Sequence, residues 1–119
     1  MYDAAHGFGN SYKSKSLISH GDISILSFHA AKIFHTVEGG ALVIKDEKLY
    51  HIAKKMINFG YDRGDVRYLG INAKMNEFQA AMGLCNLDDI DNIIRKNKDI
   101  SNHYKRRLDS FVGFQQQNK

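Results

Sequence analysis

Two short apolar segments in the first third of the chain have the pattern of β-strands. The segment 23–28 reads Ile-Ser-Ile-Leu-Ser-Phe, is rich in β-branched and aromatic residues, and follows a Gly-Asp pair. The segment 41–44 reads Ala-Leu-Val-Ile and lies between a Gly-Gly pair and a Lys-Asp pair. Because short apolar runs bounded by turn-forming residues are typical of buried strands, we predict one strand over 23–28 and a second over 41–44.

Helical spacing of apolar residues begins directly after the second strand. Asp46 belongs to the residue types that cap helix N-termini, and apolar residues recur on one helical face behind it. These residues are Leu49, Ile52, Ala53, Met56 and Ile57. We therefore predict a helix from Asp46 to about Asn58, followed by a loop over 59–65 that contains two glycines and three charged residues.

The last third of the chain has the pattern of two consecutive helices. Asn76 is a plausible cap for the first of them. Its apolar stripe comprises Phe78, Ala81, Met82 and Cys85. The second helix is predicted from about Leu87 to Leu108. Its apolar residues include Leu87, Ile90, Ile93, Ile94, Ile100, Tyr104 and Leu108.

The order of these elements predicts the fold class. Strands that precede helices favour an α/β or α+β domain. Two isolated strands are only marginally stable in water, and a parallel sheet needs neighbours and cover on both faces. We therefore predict an α/β domain with an incomplete sheet. Its single partial domain, 1–119, divides into a strand-and-loop region over 1–45, a helical region over 46–110 and a flexible tail over 111–119.

The charge distribution leaves two interpretations open. The chain carries 17 basic and 13 acidic residues, a formal charge of +4. A basic cluster near the end is interrupted by one acidic residue, and its members are Arg95, Lys96, Lys98, Lys105, Arg106 and Arg107. The solvated face of a long helix is the usual explanation. A basic module that binds RNA or an acidic protein is the alternative, although aromatic residues are sparse there and no nucleic-acid motif is present.

Cysteine content and hydropathy indicate the cellular compartment in which the protein is expected. Cys85 is the single cysteine, so no disulfide can form within the chain. The sequence has no apolar run near the ~20 residues that cross a bilayer, and its first residues do not resemble a signal peptide. We expect a cytoplasmic protein that binds neither nucleic acid nor a membrane.

Lys32 is the first residue that suggests chemistry. It follows the predicted strand 23–28 within a loop of small residues, and Ala30 and Ala31 leave space beside it. A deprotonated lysine amine can attack a carbonyl and form a Schiff base. A lysine after a strand is more often simply exposed, so Lys32 alone is a weak signal.

Two further residues fit the same chemistry. Pyridoxal phosphate (PLP) needs an acidic partner that keeps its ring nitrogen protonated, and Asp3 is a candidate for that role. The Ser27 hydroxyl could donate a hydrogen bond to the phosphate. Gly39 and Gly40 allow a close backbone approach or a tight turn into the next strand.

The motifs of the chain occur in a characteristic order. They are Asp3-Ala4-Ala5-His6, Gly21-Asp22, Ser27-Phe28-His29-Ala30-Ala31-Lys32, Glu38-Gly39-Gly40-Ala41, Asn58-Phe59-Gly60, Gly70-Ile71-Asn72-Ala73-Lys74-Met75-Asn76-Glu77 and Gln79-Ala80-Ala81-Met82-Gly83-Leu84. Each motif is unspecific by itself, but their order and spacing resemble the DegT/StrS-type sugar aminotransferases. The resemblance covers roughly residues 3 to 108. It implies part of the large domain of a fold type I PLP-dependent transferase.

The resemblance implies a role for three residues around the cofactor ring. Lys32 matches the lysine that forms the Schiff base with the cofactor and shuttles the proton in transamination. Asp3 matches the carboxylate that pairs with the pyridine nitrogen, and His6 falls where the family has a His or Gln near the ring. The dehydratases of the family have histidine in place of this lysine, so Lys32 favours the aminotransferase branch.

Four other residues receive roles from the same resemblance. Ser27 matches a hydroxyl that contacts the cofactor phosphate. Asn72 matches an asparagine that reaches the phosphate from the partner subunit of a homodimer. His35 and Glu38 lie in the loop after the lysine, where the family meets substrate or cofactor.

The resemblance also implies a reaction and its partners. Transamination would move an amino group from glutamate, through PLP, to a keto-deoxy nucleotide-sugar in amino-sugar or surface-polysaccharide biosynthesis. The loop 34–40 is most similar to members that aminate a 4-keto-6-deoxy sugar. We expect a homodimer whose site is shared between subunits.

Two alternatives stay open beside the aminotransferase. The family has a long region before Asp3 and a small domain beyond the last predicted helix, so the chain could be a catalytically incomplete remnant. A metal site could draw on His6, His20, Asp22 and His29. The usual histidine and paired-cysteine spacings are missing, and no metal is expected.

Overall fold

The computed structural model describes residues 1–114, which form one small sheet, two short hairpins and three α-helices in that part of the chain. The strands are β1 (Tyr2–Asp3), β2 (Ser11–Tyr12), β3 (Lys15–Ser16), β4 (Ile23–Ser27), β5 (Gly40–Ile44), β6 (Tyr61–Asp62) and β7 (Asp65–Val66). The helices are α1 (Glu47–Met56), α2 (Glu77–Asp88) and α3 (Ile90–Leu108), and a 3-10 turn occupies Leu17–Ser19.

The main sheet has three strands in the order β1-β4-β5. β4 pairs parallel with β1 and antiparallel with β5, from Ile23 opposite Ile44 to Ser27 opposite Gly40. Both predicted strands are confirmed, and β1 adds a two-residue neighbour. Ile25 and Leu42 are exposed within the described chain. The prediction of an α/β fold with an incomplete sheet therefore holds.

The first two helices begin at the predicted caps. The Asp46 carboxylate accepts a hydrogen bond from the Leu49 amide at 2.8 Å, which satisfies one of the free N–H groups of the first turn. Asn76 and Gln79 form a reciprocal capping box at the start of α2. The α2–α3 boundary falls at Asp89, two residues beyond the predicted start at Leu87.

The apolar stripe of α2 is exposed in the described chain. Phe78 is 89% exposed, and Ala81, Met82 and Cys85 are also exposed. The buried residue of this helix is Gly83, because the Thr36 methyl and the Phe34 ring of a loop lie close against it. Apolar spacing identified the helix but not the face that packs.

The predicted loop 59–65 contains more structure than the sequence suggested. β6 and β7 form an antiparallel hairpin with Tyr61 opposite Val66. Its turn residues, Arg63 and Gly64, both have positive φ, as in the two-residue turns that match the twist of paired strands. The region 46–110 is therefore not helical throughout. Of the predicted flexible tail, 111–114 follow α3 in a turn and coil, and 115–119 lie outside the described residues.

The buried core lies beneath the loop that joins β4 to β5. Among the described residues, its most buried apolar side chains are Ala4, Leu26 and Phe34. The Phe34 ring stacks on Phe8 at 4.6 Å between centroids and meets Phe28 edge-on at 4.8 Å. Such aromatic pairs stabilise a fold beyond their area burial. The candidate site is built around this cluster.

Gly60 and Gly70 allow two backbone segments to touch beyond α1. A Cβ on Gly60 would lie 1.8 Å from the carbonyl oxygen of Tyr68, and a Cβ on Gly70 would lie 2.0 Å from the Gly60 nitrogen. Gly60 also has a φ of +73°, which disfavours any other residue.

We predict that Gly60→Ala destabilises the chain by about 3 kcal/mol or more, because the added methyl collides with backbone that cannot rotate away. Gly64→Ala is the matched control, since Gly64 has a φ of +87° and nothing within 4 Å of its added Cβ. It should cost about 1–2 kcal/mol. Urea unfolding monitored by circular dichroism measures both, and equal costs would contradict the steric explanation.

An ion pair joins α1 to the β6–β7 hairpin. Lys55 Nζ lies 2.8 Å from an Asp62 carboxylate oxygen. This hydrogen bond lowers the pKa of Asp62 and raises the pKa of Lys55, in each case against a smaller opposing effect of burial. The Lys55 ammonium also lies 5.3 Å from the centroid of the Tyr68 ring.

We predict that this pair makes stability depend on pH at both extremes. The contribution of Asp62 is fully present above its ordinary pKa of 3.8 and is lost as pH falls through the lowered value. The contribution of Lys55 is lost as pH rises through a pKa above 10.5. Asp62→Asn should therefore destabilise at pH 7 but have a smaller effect at pH 3 in urea titrations. Asp99→Asn in the middle of α3 serves as the exposed control, and parallel behaviour of the two variants would contradict the assignment.

Candidate active site

The predicted cofactor lysine lies in a loop whose two ends are joined by a backbone hydrogen bond. We call residues 28–39 the lysine loop. The Phe28 amide donates to the Gly39 carbonyl at 2.8 Å, and the Thr36 amide donates to the Phe28 carbonyl at 3.0 Å. Inside the loop, the Lys32 amide donates to the His29 carbonyl at 2.9 Å, so Lys32 ends a tight turn.

The second half of the lysine loop is held in a restricted conformation. The buried Thr36 side chain is 1% exposed and donates a hydrogen bond to the Glu38 carbonyl at 2.7 Å. Val37 has a φ of +67°, a conformation that costs a β-branched residue energy and persists only when its surroundings impose it. A Cβ on Gly39 would lie 2.3 Å from the Thr36 hydroxyl, so only glycine fits there.

β1 and β4 bring two separate segments together beside this loop. Asp3 pairs with Ile25 in the sheet, and the Ala4 amide donates to the Ile25 carbonyl at 2.9 Å. The chain leaves β1 at residues 4–6, while it leaves β4 at Ser27. Because parallel strands end at the same edge of a sheet, the His6 and Lys32 side chains meet there.

A cavity of about 210 Å³ lies at this edge. Its lining residues are Ala5, His6, Phe8, Gly9, Asn10, Ser27, Ala31, Lys32, Ile33 and Ile94. Lys32 Nζ lies 2.9 Å from His6 Nε2, so an imidazole nitrogen without a proton can accept a hydrogen bond from the lysine amine. An amine, an imidazole and a hydroxyl thus converge in one half-apolar cavity, as expected for a small-molecule site.

The structure brings three of the predicted site residues into this cavity. His6, Ser27 and Lys32 line it, and Ala31 supplies the small side chain that was expected beside the lysine. The Ser27 hydroxyl also accepts a long hydrogen bond, 3.4 Å, from the His29 amide. It therefore keeps its own proton free to donate.

Four predicted residues lie outside the cavity lining. The Asp3 carboxylate accepts from the Ala5 amide at 3.0 Å and is solvent-exposed. Asn72 is exposed in the segment between the β6–β7 hairpin and α2, where its side-chain oxygen accepts from Lys74 Nζ at 2.8 Å. Glu38 lies 3.7 Å from His29 Nε2 across the loop, and the His35 carbonyl faces α2.

Sequence reasoning missed the residues through which the helices contact the site. Ile94 of α3 lines the cavity and would lie 3.3 Å from a Cβ on Gly9. Gly83 and Asn86 of α2 contact the lysine loop. A signal was available, because Gln79, Gly83 and Asn86 are spaced four and three residues apart and so share one helical face. Their polar or small side chains made that face look solvent-exposed.

The metal alternative receives no geometric support. In the part of the chain that the structure describes, no three His, Cys, Asp or Glu side chains come close enough to hold a metal ion, and His6, His20, Asp22 and His29 are not gathered. Across residues 1–114, we also find no helix with the length and apolarity to cross a membrane. The basic residues of the Arg95–Arg107 cluster lie mostly exposed along α3.

Comparison with known proteins identifies relatives of this chain. The chain is 40% identical over 114 residues to the dTDP-4-amino-4,6-dideoxy-D-glucose transaminase of Shigella dysenteriae, covering 95% of this chain and 31% of that protein. The structure of DesI in the presence of its TDP-sugar product is similar at a TM-score of 0.82 and 38% identity, with 89% of this chain and 27% of DesI covered.

A second solved structure is similar over nearly the whole chain. Spr1654 from Streptococcus pneumoniae, assigned as a sugar aminotransferase and solved in its PLP form, superimposes with a TM-score of 0.86 and 26% identity. The match covers 98% of this chain and 33% of that one. The chain therefore spans about a third of the length of the relatives it matches. Since the family model for the DegT/DnrJ/EryC1/StrS aminotransferases matches residues 1–119, the chain belongs to this family.

Proposed function

We propose that this chain supplies the lysine-bearing part of a PLP-dependent aminotransferase that acts on a keto nucleotide-sugar. The observation that carries the proposal is the 2.9 Å contact between Lys32 Nζ and His6 Nε2 at the mouth of a cavity that also contains Ser27. A primary amine can form a Schiff base with a carbonyl cofactor, and a hydroxyl beside it can donate a hydrogen bond to the phosphate of that cofactor.

The residues present fit this cofactor in chemical type. Lys32 offers a primary amine, Ser27 a hydroxyl donor, and Phe8 and Ile33 apolar surface for a flat ring. PLP, when bound, supplies an electron sink for moving an amino group between substrates. The 210 Å³ cavity is below the roughly 300–1,000 Å³ of typical ligand pockets, so these residues form only some of the walls.

Each residue around the ring has a distinct task in this proposal. With PLP bound, Lys32 would hold the cofactor through its amine, and Lys32 Nζ would serve as general acid and base. His6 accepts the hydrogen bond that orients Lys32 and lies against the ring. Asp3 holds a proton on the ring nitrogen. Asp3 is the last residue of β1, its carboxylate is exposed, and the strand ends at the edge of the sheet where the cavity lies.

The remaining predicted residues act from further away. Ser27 donates to the phosphate, and Asn72 reaches the phosphate of a second subunit in a homodimer. The exposed position of Asn72, remote from the cavity of its own chain, is compatible with a role in another subunit's site. His35 and Glu38 contact substrate or cofactor at the far side of the lysine loop.

The names of the relatives support a nucleotide-sugar as one substrate. One relative is named a dTDP-4-amino-4,6-dideoxy-D-glucose transaminase, and another was solved with a TDP-sugar product. We propose a keto-deoxy nucleotide-sugar as amino acceptor and glutamate as donor, in amino-sugar or surface-polysaccharide biosynthesis. A single cysteine and the use of a cytosolic cofactor favour a cytoplasmic location.

The proposal predicts selective labelling of Lys32. Purified chain is incubated with PLP, reduced with borohydride, digested, and its modified lysines are quantified by mass spectrometry. Lys32 should be labelled several-fold faster than any other lysine, because its amine lines a cavity that also contains the Ser27 hydroxyl as a donor for the phosphate and is oriented there by His6. Lys32→Ala should remove this signal, and Lys54→Ala, which changes an exposed lysine of α1, should leave it unchanged.

Equal labelling of all lysines would contradict the proposal for this polypeptide. The chain would then be a catalytically incomplete remnant that carries the residues of the family without its cofactor site. His6→Leu separates the two explanations further. It should slow labelling at Lys32 alone if the imidazole orients the amine, and should have no effect if Lys32 is an ordinary surface lysine.

A further inference from the structure

We infer that Asn86 of α2 is a positioning residue for the lysine loop. The inference rests on the proposed function, since it concerns how Lys32 is held where that function needs it. Asn86 Nδ2 donates a hydrogen bond to the His35 carbonyl at 2.7 Å, across 51 residues of sequence. The contact is part-buried, and no motif considered in the sequence included Asn86.

The Asn86 amide makes more than one contact with the loop. Its Nδ2 also lies 3.4 Å from His35 Nδ1 and 3.5 Å from His35 Nε2. The imidazole Nδ1 in turn lies 3.4 Å from the Val37 amide nitrogen, which can donate to it. Asn86 therefore lies over both the carbonyl and the ring of His35. These contacts immobilise the loop just before its strained residue, Val37.

Gly83 lies about one helical turn before Asn86 and lets α2 come close enough to the loop for this contact. A Cβ on Gly83 would lie 3.0 Å from the Thr36 methyl and 3.5 Å from the Phe34 ring, so the helix surface lies directly against the loop. A larger residue at this position would hold α2 away from the loop. The hydrogen bond from Asn86 to the His35 carbonyl would then lengthen and weaken.

The anchored carbonyl is close to Lys32 in sequence and in structure. Residues 33 and 34 join Lys32 to His35, and both are themselves fixed. Ile33 lines the cavity, and Phe34 lies in the aromatic core. A displacement of His35 is thus transmitted to Lys32 along a segment with little freedom. Because a small misplacement of a reacting group can greatly slow a reaction, the anchor has a functional consequence.

The test compares the chain with Asn86→Asp, Asn86→Gln and Asn102→Asp. The Asp variant at position 86 removes the donor with almost no change in shape, the Gln variant keeps an amide, and Asn102 is an exposed α3 residue that controls for added charge. Amide hydrogen exchange is measured without cofactor at Lys32 and Thr36, whose N–H groups are bonded within the loop.

Asn86→Asp should raise exchange at Lys32 and Thr36 about five- to tenfold, the size expected from losing one part-buried hydrogen bond. Amides of β4, β5 and α1 should keep their protection. Asn86→Gln should restore most of the loop protection, and Asn102→Asp should match the wild type. The inference is overturned if Asn86→Asp behaves like Asn102→Asp, if Gln gives no recovery, or if protection falls equally in all elements.

Borohydride labelling with PLP then connects the anchor to the proposed function. Asn86→Asp should slow labelling of Lys32 several-fold relative to Asn102→Asp, at unchanged circular dichroism, with recovery in Asn86→Gln. If the wild type labels all lysines equally, the proposed function fails, while the exchange data still decide whether Asn86 fixes the loop. If Lys32 labels selectively and at the same rate in every variant, the positioning role fails and the proposed function stands.

Discussion

The burial of a single ring, Phe34, is the constraint on which the rest of the described structure depends. Phe34 is 5% exposed and contacts Phe8 after β1, Phe28 after β4 and the open side of α2 at Gly83. One side chain thus ties together the two segments that form the cavity and the helix that supports them. The small core explains this dependence, because few other side chains in residues 1–114 are fully buried.

The lysine loop is held by the buried Phe34 ring and also has a restricted backbone conformation. The loop has few alternative conformations. Val37 has a left-handed backbone, Gly39 packs against the Thr36 hydroxyl, and two backbone hydrogen bonds join the first residue of the loop to its second half. Contacts from outside the loop hold it in place, with Asn86 above His35 and Phe8 against Phe34. Rigidity of this kind suits a residue that has to meet a cofactor in one orientation.

The three-stranded sheet leaves apolar surface exposed in the described chain. Ile25 and Leu42 of the sheet are exposed, and together with α1 they border an open groove of about 870 Å³. Both features agree with a chain that spans about a third of its relatives in the DegT/DnrJ/EryC1/StrS family. Within the described residues, the local architecture of the lysine loop is nevertheless formed.

The sequence by itself determined the local elements and the chemical inventory of this protein. Two strands and the caps at Asp46 and Asn76 follow from short-range patterns, because spacing and turn chemistry act over a few residues. His6 is assigned beside Ser27 and Lys32 through the resemblance of the ordered motifs to a known family, and the pairing of β1 with β4 brings it to Lys32. Only the tertiary structure decided which face of α2 packs, that 61–66 forms a hairpin, and that Asn86 and Ile94 reach the site. Those outcomes depend on contacts between residues far apart in sequence, where close backbone approach outweighs apolar periodicity.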